Sequence, residues 1–149
     1  MKSEMSLDEY RAWLVQQQKQ PTPRDDAEHR EQAALFRWAT LMEPRLPELA
    51  TLFGIPNGGA RHPVVAGKLK AEGVKSGVWD CFMATPRGGF HGLWLELKIK
   101  PNKLTPEQKI WTHLMRAAGY SCEDVCYDWT EAARAICGYL GVRPEEYGV

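Results

Sequence analysis

The sequence predicts an α/β layered domain, a mixed central β-sheet flanked by helices. Two observations carry this expectation. Residues 93–99 alternate, with Leu93, Leu95, Leu97 and Ile99 on one face and Trp94, Glu96 and Lys98 on the other, which is the two-residue period of a strand. Around it, segments with helical period alternate with short apolar runs bounded by Pro and Gly.

Ser6–Lys19 reads as a short amphipathic helix through Leu7, Tyr10, Trp13 and Leu14, and Pro21 and Pro23 mark a linker behind it. Asp25 or Asp26 is the expected cap of a helix over about Ala27–Met42, whose Leu35, Trp38, Ala39 and Met42 repeat at helical spacing. Thr51–Ile55 is a short apolar strand candidate, followed by the turn signal Pro56-Asn57-Gly58-Gly59. Pro63–Glu72 suits a helix closed by Gly73. Val78–Thr85 suits a strand, with Pro86-Arg87-Gly88-Gly89 as a hairpin loop before Leu93–Ile99. Thr105-Pro106-Glu107-Gln108 has the composition of a capping box, with Ile110, Trp111, Leu114 and Met115 as the stripe expected to be buried. Tyr120–Tyr127 reads as a last strand, and Asp128 caps a last helix to about Tyr139. The tail from Gly141 has little to pack. The chain divides into an N-terminal arm and linker (1–24), one domain (25–141) and a tail (142–149).

The 149 residues carry no net charge, so total charge does not argue for a polyanionic partner. The distribution is uneven: residues 61–103 hold eight Lys/Arg against three acids, a net of +5. A basic segment on a neutral chain is compatible with a phosphate-binding face, although charge alone favours a solvated lysine-rich surface. There is no secretory signal and no run long enough to span a membrane, which points to a cytoplasmic protein with reduced thiols at Cys81, Cys122, Cys126 and Cys137. Cys122 and Cys126 are spaced Cys-x3-Cys without a second ligand pair, and a zinc site is not expected.

Glu96 and Lys98, two apart on a strand, point to one side. Asp80 lies in the preceding strand, and pairing of the two strands would bring two carboxylates and an ammonium together. That set suits phosphodiester hydrolysis. Hard carboxylate oxygens hold Mg²⁺ or Mn²⁺, the cation neutralises the phosphate and acidifies a water, and a lysine stabilises developing charge. A lone Glu-x-Lys is weak, and a solvated strand face explains it as well.

The segments Asn57-Gly58-Gly59-x-Arg61, Gly73-Val74-Lys75-x-Gly77-Val78-Trp79-Asp80, Leu93-Trp94-Leu95-Glu96-Leu97-Lys98 and Leu104-Thr105-Pro106-Glu107-Gln108 occur in this order. Together they resemble the VRR-NUC domain of the PD-(D/E)xK nuclease superfamily, in a stand-alone form of phage or bacterial type, over residues 28–140. The resemblance implies a restriction-endonuclease-like core and a metal-dependent nuclease acting on DNA, with branched or junction DNA as candidate substrate and a homodimer as the working form. It implies Asp80 and Glu96 as metal ligands, Lys98 as the catalytic lysine and Gln108 as a further active-site residue. The Leu97 carbonyl and Glu28 would be additional ligands, with Glu31 the competitor of Glu28. Where the superfamily often has proline before the aspartate, this chain has Trp79. Asn57, Arg61, Lys75, Lys100 and Lys103 are the expected DNA contacts, each with a solvated-surface alternative. The competing functions are a nucleic-acid-binding module of the same fold without turnover, and an interaction protein in which Glu96 and Lys98 are a plain surface pair.

Overall fold

A computed structural model of the chain describes residues 23–56 and 62–149. The helix expected at Ser6–Lys19 and the Asn57–Arg61 turn lie outside the described residues. The first described helix, α1 (Pro23–Met42), begins earlier than its expected Asp cap. Proline suits a first helical turn because its missing N–H would have no partner there, so Pro23 opens the helix and is not part of a linker. Both expected caps fall inside the helix, and the Asp26 carboxylate lies near its first turn, where negative charge favours the helix dipole. A 3₁₀ turn (Pro47–Thr51) leads into β1 (Leu52–Gly54), followed by α2 (Pro63–Ala71), β2 (Cys81–Met83), β3 (Leu93–Leu95), α3 (Pro106–Ala117), β4 (Ser121–Cys122) and α4 (Trp129–Leu140).

The four strands form one mixed sheet in the order β1-β2-β3-β4. β1–β2 and β2–β3 are antiparallel, and β3–β4 is parallel through the α3 crossover. The strands are shorter than their apolar runs. Cys81 faces Leu95 across the β2–β3 pair, so Asp80 comes opposite Glu96 one step beyond the ladder. There, side-chain carboxylates take over the hydrogen bonds that backbone would make.

The alternation of Leu93–Lys98 sorts its residues to opposite faces, but neither face is left to water. Leu93, Leu95 and Leu97 join Cys81, Met83, Leu35, Trp38 and Ile136 in the core beneath α1 and α4. On the other side Trp94 packs with Trp79 and Cys122, and with Phe82, Trp111 and Met115 around them. Glu96 is on this second face, at 1% exposure.

Two expectations about packing are corrected. Ile110 and Leu114 of α3 are 62% and 51% exposed, while the polar Gln108 and Thr112 are buried. The helix turns its Gln108–Trp111–Thr112–Met115 side to the sheet, because the buried Glu96 needs a polar partner there. The tail also packs. A 3₁₀ turn (Pro144–Tyr147) brings the Tyr147 carbonyl to the Trp38 indole N–H at 2.8 Å, and Val142, Tyr147 and Val149 lie against the α1–α4 core. Gly141, at φ 72, ends α4 in the left-handed conformation that lets the chain turn back onto it.

Candidate active site

Thr105, Gln108 and the residues before β2 enclose a pocket of about 340 Å³ whose lining includes Glu28, Asp80, Glu96 and Lys98. The strand pair supplies the centre. The Glu96 carboxylate accepts the Asp80 backbone N–H at 3.1 Å, and the Asp80 carboxylate accepts the Leu97 N–H at 3.2 Å. Lys98 Nζ lies 3.1 Å from Glu96 Oε1. Burial raises the Asp80 pKa, opposed mainly by the Leu97 N–H and the Lys98 ammonium. Burial, then the charge of Asp80, pushes Glu96 up to about 7, although the Lys98 ammonium and the Asp80 N–H pull the other way.

Gln108 is held from both ends. Thr105 and Gln108 form the full capping box: the Thr105 hydroxyl accepts Gln108 N–H, and Gln108 Oε1 accepts Thr105 N–H at 2.9 Å. The amide is thereby oriented with Nε2 outward, and it donates to Glu96 Oε1 at 2.5 Å. The resemblance implied Gln108 as an active-site residue, and the capping box is what aims its amide at the Glu96 carboxylate.

Glu28 and Glu31 separate cleanly. Glu28, one turn into α1, lines the pocket and accepts the Ile99 N–H at 3.3 Å. Glu31 faces elsewhere and accepts the Trp129 N–H at 2.8 Å, at the first turn of α4. Leu97 presents its backbone to Asp80, since the bridge to Cys126 uses the Glu96 carbonyl and the Lys98 N–H instead. The Leu97 carbonyl therefore points to the same side as its N–H, toward Asp80. Ser76, with Gly77 and Val78 of the segment that leads to Asp80, forms a further wall. Gly77 has φ 88, and a Cβ there would stand 2.6 Å from the Glu107 backbone, so the wall presses on the α3 N-terminus.

Of the expected nucleic-acid contacts that are described, Lys75 lies apart from Lys100 and Lys103. Lys75 lies in a shallow groove with Ile110 and Leu114, beside Ser76. Lys100 places its ammonium 5.2 Å over the Tyr127 ring, and Lys103 lines a second groove on the far side of α3. Asn57 and Arg61 lie outside the described residues. Cys81, Cys122, Cys126 and Cys137 are free and buried, and burial raises all four thiol pKa values, to about 11 for Cys122.

The carboxylates that line the pocket, from Glu28, Asp80 and Glu96, are chemically suited to a hard divalent cation, while Leu97 is not among the lining residues and meets Asp80 through its N–H. Among the described residues, no three His, Cys, Asp or Glu side chains are drawn into a closed metal cage. A Mg²⁺-type site does not need one, because that ion is held through one or two carboxylates and keeps waters or phosphate oxygens elsewhere.

No family model matches the chain, and no curated protein matches it significantly. Among solved structures it is similar to one described as "VRR_NUC domain protein", with a TM-score of 0.64 and 25% identity over 78% of this chain and 89% of that one. The mixed sheet flanked by helices, and the carboxylate pocket at the ends of β2 and β3, thus sit on a VRR-NUC-like, nuclease-like fold.

Proposed function

We propose that this chain is a Mg²⁺- or Mn²⁺-dependent nuclease that hydrolyses DNA phosphodiester bonds. The observation that carries the reading is the meeting of Glu28, Asp80, Glu96, Lys98 and Gln108 in one pocket, on a fold similar to a VRR_NUC domain protein. Asp80, Glu96, the Leu97 carbonyl and Glu28 would hold the cation. When bound, the cation would neutralise phosphate charge and make a water acidic enough to attack near neutral pH. Lys98 is anchored on Glu96 and mostly buried, so its ammonium is held at a fixed point in the pocket, suited to stabilising charge on the phosphoryl oxygens. Gln108 does not meet the phosphate in this reading. It fixes the orientation of Glu96.

Asp80→Ala, Glu96→Ala and Lys98→Ala should each lower Mg²⁺-dependent cleavage of DNA by at least about 100-fold while circular dichroism shows the fold retained. Wild-type rates in all three would end the proposal. Junction selectivity and a homodimer belong to the same reading. Branched against linear substrates test the first, and sedimentation tests the second.

One observation favours a second reading, a DNA-binding module without turnover. Both oxygens of Glu96 already have protein partners: Asp80 N–H on one, Gln108 and Lys98 on the other. DNA binding in EDTA with no cleavage in Mg²⁺, Mn²⁺ or Co²⁺ would select it.

A further inference from the structure

A second cavity, of about 700 Å³, runs along the opposite side of α3 from the shallow Lys75 groove. Its origin is a register change in the parallel β3–β4 pair. Leu93 faces Ser121 and Trp94 faces Cys122, but further on Leu97 faces Cys126, so the β4 side carries one residue more than β3 between these points. The extra residue makes the Glu123–Val125 segment bulge away from β3. Glu123 and Asp124 become one wall of the groove, and α3 forms the other.

The α3 wall is basic. Lys109, His113 and Arg116 recur on one helical face, with Lys103 at the approach. Lys109 and His113 are about 6 Å apart along the helix axis, a step on the order of one extended nucleotide. Arg116 is fixed in place: its Nε and Nη2 donate to the Cys122 carbonyl at 2.8 and 2.5 Å, which pins the guanidinium at the groove edge. Leu104 and Val125 supply apolar lining between the walls.

We propose that this groove is a second nucleic-acid site that takes a single-stranded flank of the substrate. The asymmetry of the walls selects a single strand. Phosphates track the cationic face of α3. The carboxylates opposite would repel a second phosphate row, as a duplex would bring, but they accept hydrogen bonds from exposed amino groups of unpaired bases. The groove adjoins the first pocket across one turn of helix. Thr105 and Gln108 line that pocket, while their sequence neighbours Leu104 and Lys109 line this groove, so the first turn of α3 divides the two. The inference rests on reading the first pocket as a nuclease centre.

The test is fluorescence anisotropy of the full chain in EDTA, comparing a blunt duplex with the same duplex bearing a single-stranded tail at either end. The tailed duplex should bind about tenfold tighter, with a steeper salt dependence of about 0.7 log units per phosphate contacted. Lys109→Glu combined with His113→Ala should remove the tail increment. It should leave the blunt-duplex affinity, the Mg²⁺-dependent cutting of blunt duplex and the circular dichroism melt unchanged. Asp124→Lys, a gain-of-function variant that misfolding cannot imitate, should tighten blunt-duplex binding. Equal affinities for tailed and blunt DNA, or a tail increment that survives the double variant, overturns the proposal. Failure of the nuclease reading looks different: a wild-type chain that cuts no DNA in Mg²⁺ or Mn²⁺, yet keeps a tail increment dependent on Lys109 and His113.

Discussion

Gln108 Nε2 lies 2.5 Å from Glu96 Oε1, and the same amide accepts the Thr105 N–H through its oxygen. One side chain thus ends the strain of an uncapped helix and supplies a donor to a buried carboxylate. An amide does both at any pH, whereas an ionised carboxylate can only accept. Glutamate, equally good in a capping box, would set a second carboxylate against Glu96.

Gln108→Glu should therefore lower cleavage at pH 7 by about 100-fold, with part of the loss recovered at lower pH, where one of the two carboxyls is protonated. A pH–rate profile checks it. A flat ratio between variant and wild type across pH would mean that Gln108 acts only as a helix cap.

Glu96 sets a pH dependence of stability. Its folded pKa, about 7, stands above its ordinary 4.5 because burial and Asp80 disfavour the charge. The protonated form is favoured by folding, so its contribution is complete below pH 4.5 and is lost as pH rises through 7. The loss is about 3 kcal/mol at most. A divalent cation held as proposed would offset the penalty on the ionised form. The rise in Tm on adding Mg²⁺ should be larger at alkaline than at mildly acidic pH, measured by calorimetry. An equal rise at both would detach the cation from Glu96.

The two acids of α1 should separate by assay. Glu28→Gln should slow cleavage with little change in Tm. Glu31→Ala should leave the rate near wild type and lower stability by about 1 kcal/mol, through loss of a carboxylate at the α4 N-terminus. The reverse pattern would exchange their roles.

Gly77→Ala has no room. The added methyl meets the Glu107 backbone at 2.6 Å, and φ 88 is unfavourable for any residue with a Cβ. Tm should fall by several degrees. Cleavage should fall as well, because displacement of the α3 N-terminus carries Gln108 with it. Thermal melts and rates measured together decide whether both losses occur.

Much of this was legible in the sequence because the signals were local. The alternation in Leu93–Lys98 set the faces of β3, and Thr105-x-x-Gln108 marked the start of α3 to the residue. What was not legible depended on contacts between distant segments. The stripe of Ile110 and Leu114 has helical spacing, yet these side chains face solvent, since α3 is rotated to bring Gln108 over Glu96. The choice between Glu28 and Glu31 could not be made from spacing, because it depends on which of them reaches Ile99 and which reaches Trp129. The tail after Gly141 is short and mixed in composition, and its packing follows from one indole, Trp38, that points toward where Tyr147 ends. Nor did any motif signal the extra residue beside β3 that opens the second groove.

The Leu97 amide proton has a consequence of its own. It sits two residues past the end of β3, and its acceptor is the Asp80 side chain and not a neighbouring strand. Its solvent exchange and its nitrogen chemical shift therefore report the state of one carboxylate instead of the opening of the sheet. The flanking Lys98 amide, bonded to the Cys126 carbonyl at 2.9 Å, is an internal reference from the next residue. A nuclear magnetic resonance titration that followed these two signals would read cation arrival at Asp80 directly, without DNA and without turnover.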